Sequence, residues 1–247
     1  MMITLKELRY DTQCFFYKQI STIFFLSIFI TCINVLIDML IKPEMHIISI
    51  IEKSNFISTN RLLESINNMN FDEKKQLLKY SILKTIALLM NKTFFLSSLI
   101  TLISSLSKNK KESIISLIYS CFFSLPSLFI LNFMITFIAQ LGYLLLFILG
   151  IFLTIILSLS PIIFHFKKHS LIDSIRLSMY ISCKNIRIIA PGVLFWIFGK
   201  LMLTVLFSNI YIVNKNIIFF ILNININILY AILIIFLFRF YMLLIRC

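Results

Sequence analysis

The chain has 247 residues, of which 60% are hydrophobic and 13% are charged, and its formal net charge is +13. Globular domains average about 45–50% apolar and about 25% charged residues, so this composition excludes soluble enzymes, disordered chains and secreted disulfide scaffolds. The mean hydropathy of +0.99 instead indicates an integral membrane protein.

Six apolar segments are long enough to cross a bilayer. A hydrocarbon layer about 30 Å thick needs about 20 mostly apolar residues at the helical rise of about 1.5 Å per residue. We therefore predict an all-α, polytopic helical membrane protein whose 247 residues form a single integral-membrane domain. The predicted spans are residues 20–41, 85–106, 114–138, 141–164, 189–208 and 217–238.

Residues 1–19 are more polar than the span that follows them. Apolar residues such as Leu8 and Phe15 alternate there with the basic residues Lys6, Arg9 and Lys18. No small-residue cleavage site follows the first apolar segment. We therefore expect a basic, amphipathic cytoplasmic tail that leads into a retained signal-anchor helix and not into a cleaved signal peptide.

Residues 42–84 form the only long loop between predicted spans, and we expect them on the outer side. Asn70 at a possible N-cap is followed by Glu73, which is the pattern of a capping box. This pattern predicts a helix over residues 74–90 that continues into the second span, and Leu62 and Ile66 suggest a shorter helix before it. The loop either covers the outer helix ends as an amphipathic layer or docks an unidentified membrane-protein partner.

The third and fourth spans are predicted to form a tight hairpin, because only Ala139 and Gln140 separate them. Pro126 lies within the third span and Pro161 lies near the end of the fourth. Each proline removes a backbone donor, so we expect a kink in each helix.

Residues 165–188 are predicted to form a cytoplasmic amphipathic segment. Ile172, Ile175 and Met179 recur at helical spacing, and Arg176 and Lys184 add positive charge. Such a helix lies in the headgroup region and attracts anionic lipid. Two strips of small residues are expected to permit close helix packing; they are Ser170, Ser174, Ser178 and Ser182, and Gly150, Thr154 and Ser158.

The distribution of basic residues predicts the orientation. With the N-terminus inside, thirteen lysines and arginines fall in inner segments and eight in outer segments. The positive-inside rule therefore places both termini in the cytoplasm. Topology accounts for most of the net charge, so we predict no nucleic-acid binding.

The sequence offers little catalytic chemistry. The five cysteines contain no CxxC pair, and His165 and His169 have no Glu or Cys nearby in sequence to complete a metal shell. The sequence has no HExxH, GxSxG or phosphate-binding glycine loop. We therefore predict a protein that is not an enzyme and has no catalytic residue, cofactor or metal.

Four polar residues within the spans form a candidate intramembrane cluster: Asn34, Asp38, Lys92 and Lys200. Lys200 lies near the midplane, and Asp38 is the only acid available in the outer half of any span. Lys200 is interpreted either as a packing residue satisfied by carbonyls and hydroxyls or as part of a pathway for a solute or lipid headgroup. If Lys200 pairs with Asp38, Lys200→Met alone should destabilise the protein more than the double change with Asp38→Asn.

Several short blocks of sequence are shared with a known family. They lie before the first span, around the amphipathic segment and at the C-terminus: Asp11-Thr12, Phe15-Phe16, Gln19, Ile175-Arg176-Leu177-Ser178-Met179, Asn185-Ile186-Arg187, Ala190-Pro191, Trp196 with Lys200, and Leu237-Phe238-Arg239-Phe240-Tyr241-Met242-Leu243. Over essentially its whole length the chain resembles the YciC family of uncharacterised bacterial inner-membrane proteins. The resemblance implies a multi-pass protein of the inner membrane and implies no activity, and Lys200 matches a lysine of the family pattern.

Two functions fit these observations. One is a non-enzymatic membrane component that acts through protein or lipid contacts, with anionic headgroups on the cytoplasmic side as partners. The other is a small-solute transporter or channel in which Lys200 lines the pathway. A specific bound partner would favour the first function, and uptake or conductance abolished by Lys200→Met would favour the second.

Overall fold

The computed structural model describes residues 5–41, 70–107, 114–166, 170–208 and 215–246. All regular secondary structure within these ranges is helical, which confirms the predicted all-α class. The helices are α1 (Leu5–Lys18), α2 (Ile20–Leu40), α3 (Phe71–Ser107), α4 (Ile114–Leu145), α5 (Phe147–Leu157), α6 (Ser160–His165), α7 (Leu171–Lys184), α8 (Ile186–Ser208) and α9 (Lys215–Arg246).

Six helical stretches are long and apolar enough to cross a membrane, as predicted from the sequence. The fourth stretch combines α5 and α6, and α1 and α7 are the amphipathic helices outside the spans. The six stretches are Ile20–Leu40, Lys74–Leu106, Phe123–Leu145, Phe147–His165, Ile186–Ser208 and Ile217–Ile245.

Helix α3 begins where the capping pattern predicts. Its first residue is Phe71, directly after Asn70, and the Lys74 amide donates to the Asn70 carbonyl over 3.0 Å. The helix then runs without a break to Ser107, so the segment before the second span and the span itself are one element. The shorter helix suggested around Leu62 falls outside the described residues.

The turn between α4 and α5 lies later in the chain than predicted. Ala139 and Gln140 are helical, and the chain reverses at Leu146, whose φ of −151° and ψ of 130° are extended. The glycines on either side explain this position, because a Cβ added to Gly142 would lie 3.0 Å from the Gly150 Cα. The two helix backbones therefore touch at these glycines, which places the turn midway between them.

A kink was predicted at Pro161, and the structure has a break between two helices of the fourth span there. Helix α5 ends at Leu157, and α6 begins at Ser160, so Pro161 occupies the first turn of a new helix. The missing N–H of proline costs nothing there, because first-turn amides have no intrahelical acceptor. Helix α4, by contrast, continues through Pro126.

Helix α7 presents its serines to the protein and its apolar stripe outward. Ser174 and Ser182 are fully buried, and Ser178 donates from its Oγ to the Ile156 carbonyl of α5 over 2.7 Å. Ile172 and Met179 are exposed. The predicted packing role is thus confirmed for Ser174, Ser178 and Ser182, whereas Ser170 is exposed and caps the helix. The exposed apolar stripe suits a helix at the bilayer interface.

The helices form two compact units, Met1–Thr31 with Lys92–Cys247, and Cys32–Asn91. The first unit holds the apolar core, in which α1 packs on α9 through the buried residues Leu8 and Phe15. The Arg239 guanidinium lies 4.8 Å from the Phe15 ring centroid. This cation–π contact and the buried apolar face hold the amphipathic N-terminal helix against the last span.

Candidate functional site

A cavity of about 420 Å³ lies within the first unit, between α3, α4, α5, α8 and α9. Its volume is within the range of about 300–1,000 Å³ that is usual for small-molecule sites. Half of the residues that line it carry polar side chains, although the surrounding helices are strongly apolar. These polar residues are Lys92, Asn132, Thr136, Gln140, Tyr143, Thr154, Ser158, Trp196, Lys200, Thr204 and Tyr230.

Lys92 reaches the cavity from α3. Its Nζ lies 5.6 Å from the centroid of the Tyr230 ring on α9, which is cation–π range. Tyr230 is itself packed between Phe95 and Trp196, at centroid distances of 6.1 and 5.8 Å. An aromatic wall therefore positions the aliphatic stem and the charge of Lys92.

Lys200 reaches the same cavity from α8. Its backbone carbonyl accepts a 2.9 Å hydrogen bond from the Thr204 hydroxyl, one helical turn further on. The side chain is exposed, as is that of Lys92. Coulombic repulsion acts between the two ammonium groups.

Neither lysine has a carboxylate partner among the described residues, and no Asp or Glu lines the cavity. A lysine near the bilayer centre costs about 2.5–3.5 kcal/mol on insertion scales. Two like charges that share one space add to this cost. Water in the cavity offsets part of the cost, and a bound anion would offset more.

The α4 side of the cavity is a polar stripe. Asn132, Thr136, Gln140 and Tyr143 are spaced by four, four and three residues, so they lie on one face of an apolar helix. The Asn132 amide donates to the Thr93 hydroxyl over 2.9 Å, which orients its side chain. Polar residues at this helical spacing in an apolar span are the sequence pattern that could have predicted the cavity. The pattern was missed because mainly the charged residues were considered.

The α5 side is built from small residues and hydroxyls. Thr154 donates to the Gly150 carbonyl over 2.8 Å, and its Oγ1 lies 3.2 Å from the Tyr143 hydroxyl across the hairpin. Ser158 donates to the Ile155 carbonyl over 2.8 Å. A hydroxyl that donates its one hydrogen to its own helix keeps its lone pairs, so Thr154 and Ser158 offer acceptors to the cavity.

Asn34 and Asp38 lie in the second unit, where each has a partner of its own. Asn34 accepts a hydrogen bond from the Asn91 amide. Asp38 forms an ion pair with Lys84 at 3.2 Å. The structure thus brings Lys92 and Lys200 together in one cavity, and the four-residue cluster stays a prediction.

The partner of Asp38 was missed because of its position in the sequence. Lys84 is the last residue before the predicted second span, where a basic residue is expected to face water. Because α3 starts at Phe71 and continues into the span, Lys84 lies within a continuous helix and not at the end of a loop. Its Nζ also contacts the Tyr80 hydroxyl at 3.1 Å, one turn earlier.

A second cavity, also about 420 Å³, lies between α1, α8 and α9. We call it the α1 groove; it is lined by Arg9, Thr12, Gln13, Pro191, Gly192, Phe195, Trp196, Leu229, Ile232, Leu233 and Phe236. Arg9 and Gln13 supply the polar groups from α1, and apolar residues of α8 and α9 supply most of the remaining wall. Trp196 lines both cavities.

Within the described ranges, no group of three His, Cys, Asp or Glu residues is placed to hold a metal ion. Cys14, Cys32 and Cys183 are exposed free thiols. The chemistry of both cavities is therefore that of hydrogen bonds and positive charge.

Comparisons with known proteins place the chain among bacterial membrane proteins. The family model described as "Uncharacterised protein family (UPF0259)" matches residues 1–243. A UPF0259 membrane protein of Buchnera aphidicola subsp. Acyrthosiphon pisum is 60% identical over 246 residues, covering 100% of both chains. UPF0259 membrane proteins of Yersinia pestis and Serratia proteamaculans are 30% and 29% identical, covering 99% of this chain and 97% and 99% of theirs. No solved structure matches.

Proposed function

The chain belongs to the UPF0259 family of membrane proteins, and on that premise we propose that it is a non-enzymatic protein of the bacterial inner membrane that holds an anionic phospholipid of the cytoplasmic leaflet. Its membership confirms the resemblance to the YciC family. The observation that carries the proposal is the α1 groove, in which an arginine borders an apolar floor.

The α1 groove suits one class of occupant. Arg9 is exposed on α1, and its guanidinium can form two parallel hydrogen bonds to a phosphate. Phe195, Leu229 and Phe236 provide apolar contacts of the kind an acyl chain makes. An anionic phospholipid combines both features, because its phosphate and its chains are joined in one molecule.

Helix α7 adds positive charge on the side that we assign to the cytoplasm. Arg176 and Lys184 are exposed on α7, which also exposes the apolar residues Ile172 and Tyr180, and Arg187 is exposed in the first turn of α8. Each basic residue near an anionic bilayer surface contributes about 1 kcal/mol of attraction. This attraction supports the assignment of α1 and α7 to the leaflet that is richer in anionic lipid.

The test uses the single tryptophan, Trp196, which lines the α1 groove. The full chain is placed in nanodiscs of phosphatidylcholine, and lipids with brominated acyl chains, which quench indole fluorescence on contact, are added as phosphatidylglycerol or as phosphatidylcholine. We expect phosphatidylglycerol to quench preferentially. Because one basic contact is worth about 1 kcal/mol, Arg9→Gln should reduce that preference about five-fold.

Lys18→Gln is the matched control. It removes one positive charge from the exposed surface of α1 but does not line the groove. Its preference should equal that of the parent chain. Equal quenching by both lipids in the parent, or equal effects of the two substitutions, would refute a specific lipid site at Arg9.

A second candidate is a small-solute transporter or channel with Lys200 lining the pathway. The cavity favours it, because Lys200 is exposed there beside the polar stripe of α4. Proteoliposomes loaded with a panel of radiolabelled anions would show uptake that Lys200→Met abolishes while the melting temperature is preserved. Uptake that survives in a folded Lys200→Met chain would exclude Lys200 from the pathway.

A further inference from the structure

We propose that the cavity between Lys92 and Lys200 is a binding site for a phosphate-class anion, carried by a lipid headgroup or by a small soluble ester. This site goes beyond the lipid held in the α1 groove, because it uses different charged residues on different helices. The two spaces share two lining residues, Trp196 and Leu233.

Charge is the first argument. Two ammonium groups share the cavity, no carboxylate lines it, and the two cations repel each other. A structural lysine within a span usually pairs with an acid or with backbone carbonyls. Within the described part of the chain, neither Lys92 nor Lys200 has such a partner, so the positive charge is available to a ligand.

Hydrogen-bonding capacity is the second argument. Each lysine offers three rotatable N–H donors, which makes it a common phosphate-binding residue. Asn132 and Gln140 add amide N–H groups. A phosphate presents several oxygens in different directions, so it can use donors that converge from α3, α4 and α8.

Size and polarity define the rest of the ligand. The volume of about 420 Å³ is more than ten times the roughly 30 Å³ that one water molecule occupies in the liquid, so a bare monatomic ion would leave it mostly empty. Ile135, Leu201 and Leu233 supply apolar lining beside the polar stripe. The site therefore fits a phosphate that carries a small organic group, such as a glycerol phosphate, better than it fits chloride.

The lining of the cavity extends over most of the bundle's length. It reaches Tyr143, two residues before α4 ends at Leu145, and Pro161, four residues before α6 ends at His165. The distribution of basic residues predicts that these two helix ends lie on opposite sides of the membrane. Lys92 and Lys200 therefore hold charge in a space that extends toward both sides.

The experiment follows Trp196 fluorescence of the full chain in phosphatidylcholine nanodiscs. The probes are inorganic phosphate, glycerol 3-phosphate and neutral glycerol, with ionic strength held constant by chloride. A parallel series adds phosphatidylglycerol or phosphatidic acid to the nanodisc. We expect a saturable change with at least one phosphate probe and none with glycerol.

Variants then locate the binding. Lys200→Met and Lys92→Met should each weaken binding about ten-fold, and the double variant should abolish it, because one charged contact is lost in each single variant. Lys200→Arg, which keeps the charge, should stay within about three-fold of the parent. Lys79→Met, at an exposed lysine on the same helix as Lys92, is the matched control for net charge and should leave the affinity unchanged.

Each outcome decides the proposal. Binding of a soluble ester identifies a solute site. A response to the anionic lipids alone identifies a headgroup site if the Lys92→Met/Lys200→Met double variant loses it and Arg9→Gln keeps it; both results support the proposal. No saturable response to any phosphate probe, or undiminished binding in the double variant, overturns it. Arg9→Gln should leave this binding intact, so the loss of the α1 groove lipid and the loss of the cavity ligand are distinguishable.

Discussion

At the scale of single residues, the charged side chains in the spans have different surroundings. Asp38 and Lys84 form a pair at 3.2 Å, with about a third of each side chain exposed. Lys92 and Lys200 instead face a cavity without an acid. A charged side chain that is paired with an opposite charge, as in Asp38–Lys84, stabilises the arrangement of the helices. A charged side chain that faces a cavity without a counter-charge is available to bind a ligand.

The Asp38–Lys84 pair predicts a measurable coupling. Asp38→Asn and Lys84→Met should each lower the stability in detergent, and the double variant should lose less than the sum of the two. Because both groups are partly exposed, we expect a coupling energy of roughly 0.2–1 kcal/mol from a double-mutant cycle. Lys79→Met, an exposed lysine on the same helix, should show no coupling with Asp38→Asn. Additive losses at Asp38 and Lys84 would contradict the pair.

Some of this residue-level arrangement was visible in the sequence. Lys92 and Lys200 were identified because a charge within an apolar run is conspicuous. Tyr230 and Trp196 were not, because aromatic residues in a span have the same appearance whether they pack in the core or line a cavity. Asp38 was assigned a hypothetical partner on another span, since sequence distance gave no reason to prefer Lys84.

At the scale of helices, close packing depends on a few small residues. Gly150 lies under the Tyr143 ring, and an added Cβ would come within 2.3 Å of it. Ser178 lies at full burial against the Ile156 carbonyl. Both contacts require that no larger side chain be present.

The α4–α5 hairpin should therefore be sensitive to one methyl group. Gly150→Ala forces the Tyr143 ring aside and should destabilise the protein by about 1–3 kcal/mol, measured by thermal unfolding in a fixed detergent. Gly199→Ala is the matched control, because its Cβ would meet only the Leu229 side chain, at 3.0 Å, and should cost less. Tyr143→Ala in the Gly150→Ala background should restore part of the loss. Equal costs at the two glycines would argue against the tight hairpin.

Helix α7 should depend on its serine strip. Ser178→Ala removes one buried hydrogen bond and should cost about 0.5–1.5 kcal/mol. Ser178→Leu introduces a side chain for which the α5 interface has no room and should cost more than 2 kcal/mol or prevent folding. Met179→Leu, on the exposed stripe of the same helix, should be neutral. A neutral Ser178→Leu would show that α7 does not pack through this strip.

The sequence predicted these elements better than their boundaries. Six spans were recognisable because apolar length is a strong signal. The α4–α5 turn was placed at Ala139 and Gln140, because a polar residue between two apolar runs is typical of a turn. In the structure Gln140 is helical and lines the cavity. Its polar side chain therefore marks the cavity wall and not a turn.

At the scale of the whole molecule, six helices that all cross the bilayer would place both termini on the same side of the membrane. The excess of basic residues in the corresponding segments predicts that this side is the cytoplasm. Exposed Cys14 on α1 and exposed Cys183 on α7 provide two markers of this side.

Cysteine labelling tests the orientation. In chains that keep Cys14 or Cys183 as the only cysteine, with serine at the others, a membrane-impermeant maleimide should react only after the inner membrane is permeabilised. A single cysteine introduced at Thr59, in the predicted outer loop, should react in spheroplasts without permeabilisation. The opposite pattern would invert the topology and would place the α1 groove in the other leaflet.

Trp196 and Leu233 line both the cavity and the α1 groove. If both spaces take occupants that move these shared side chains, their affinities are thermodynamically linked. Reciprocity then requires that the factor by which an anion in the cavity changes lipid affinity equal the factor by which the lipid changes anion affinity. The occupancy of each space would in this way depend on what is bound in the other.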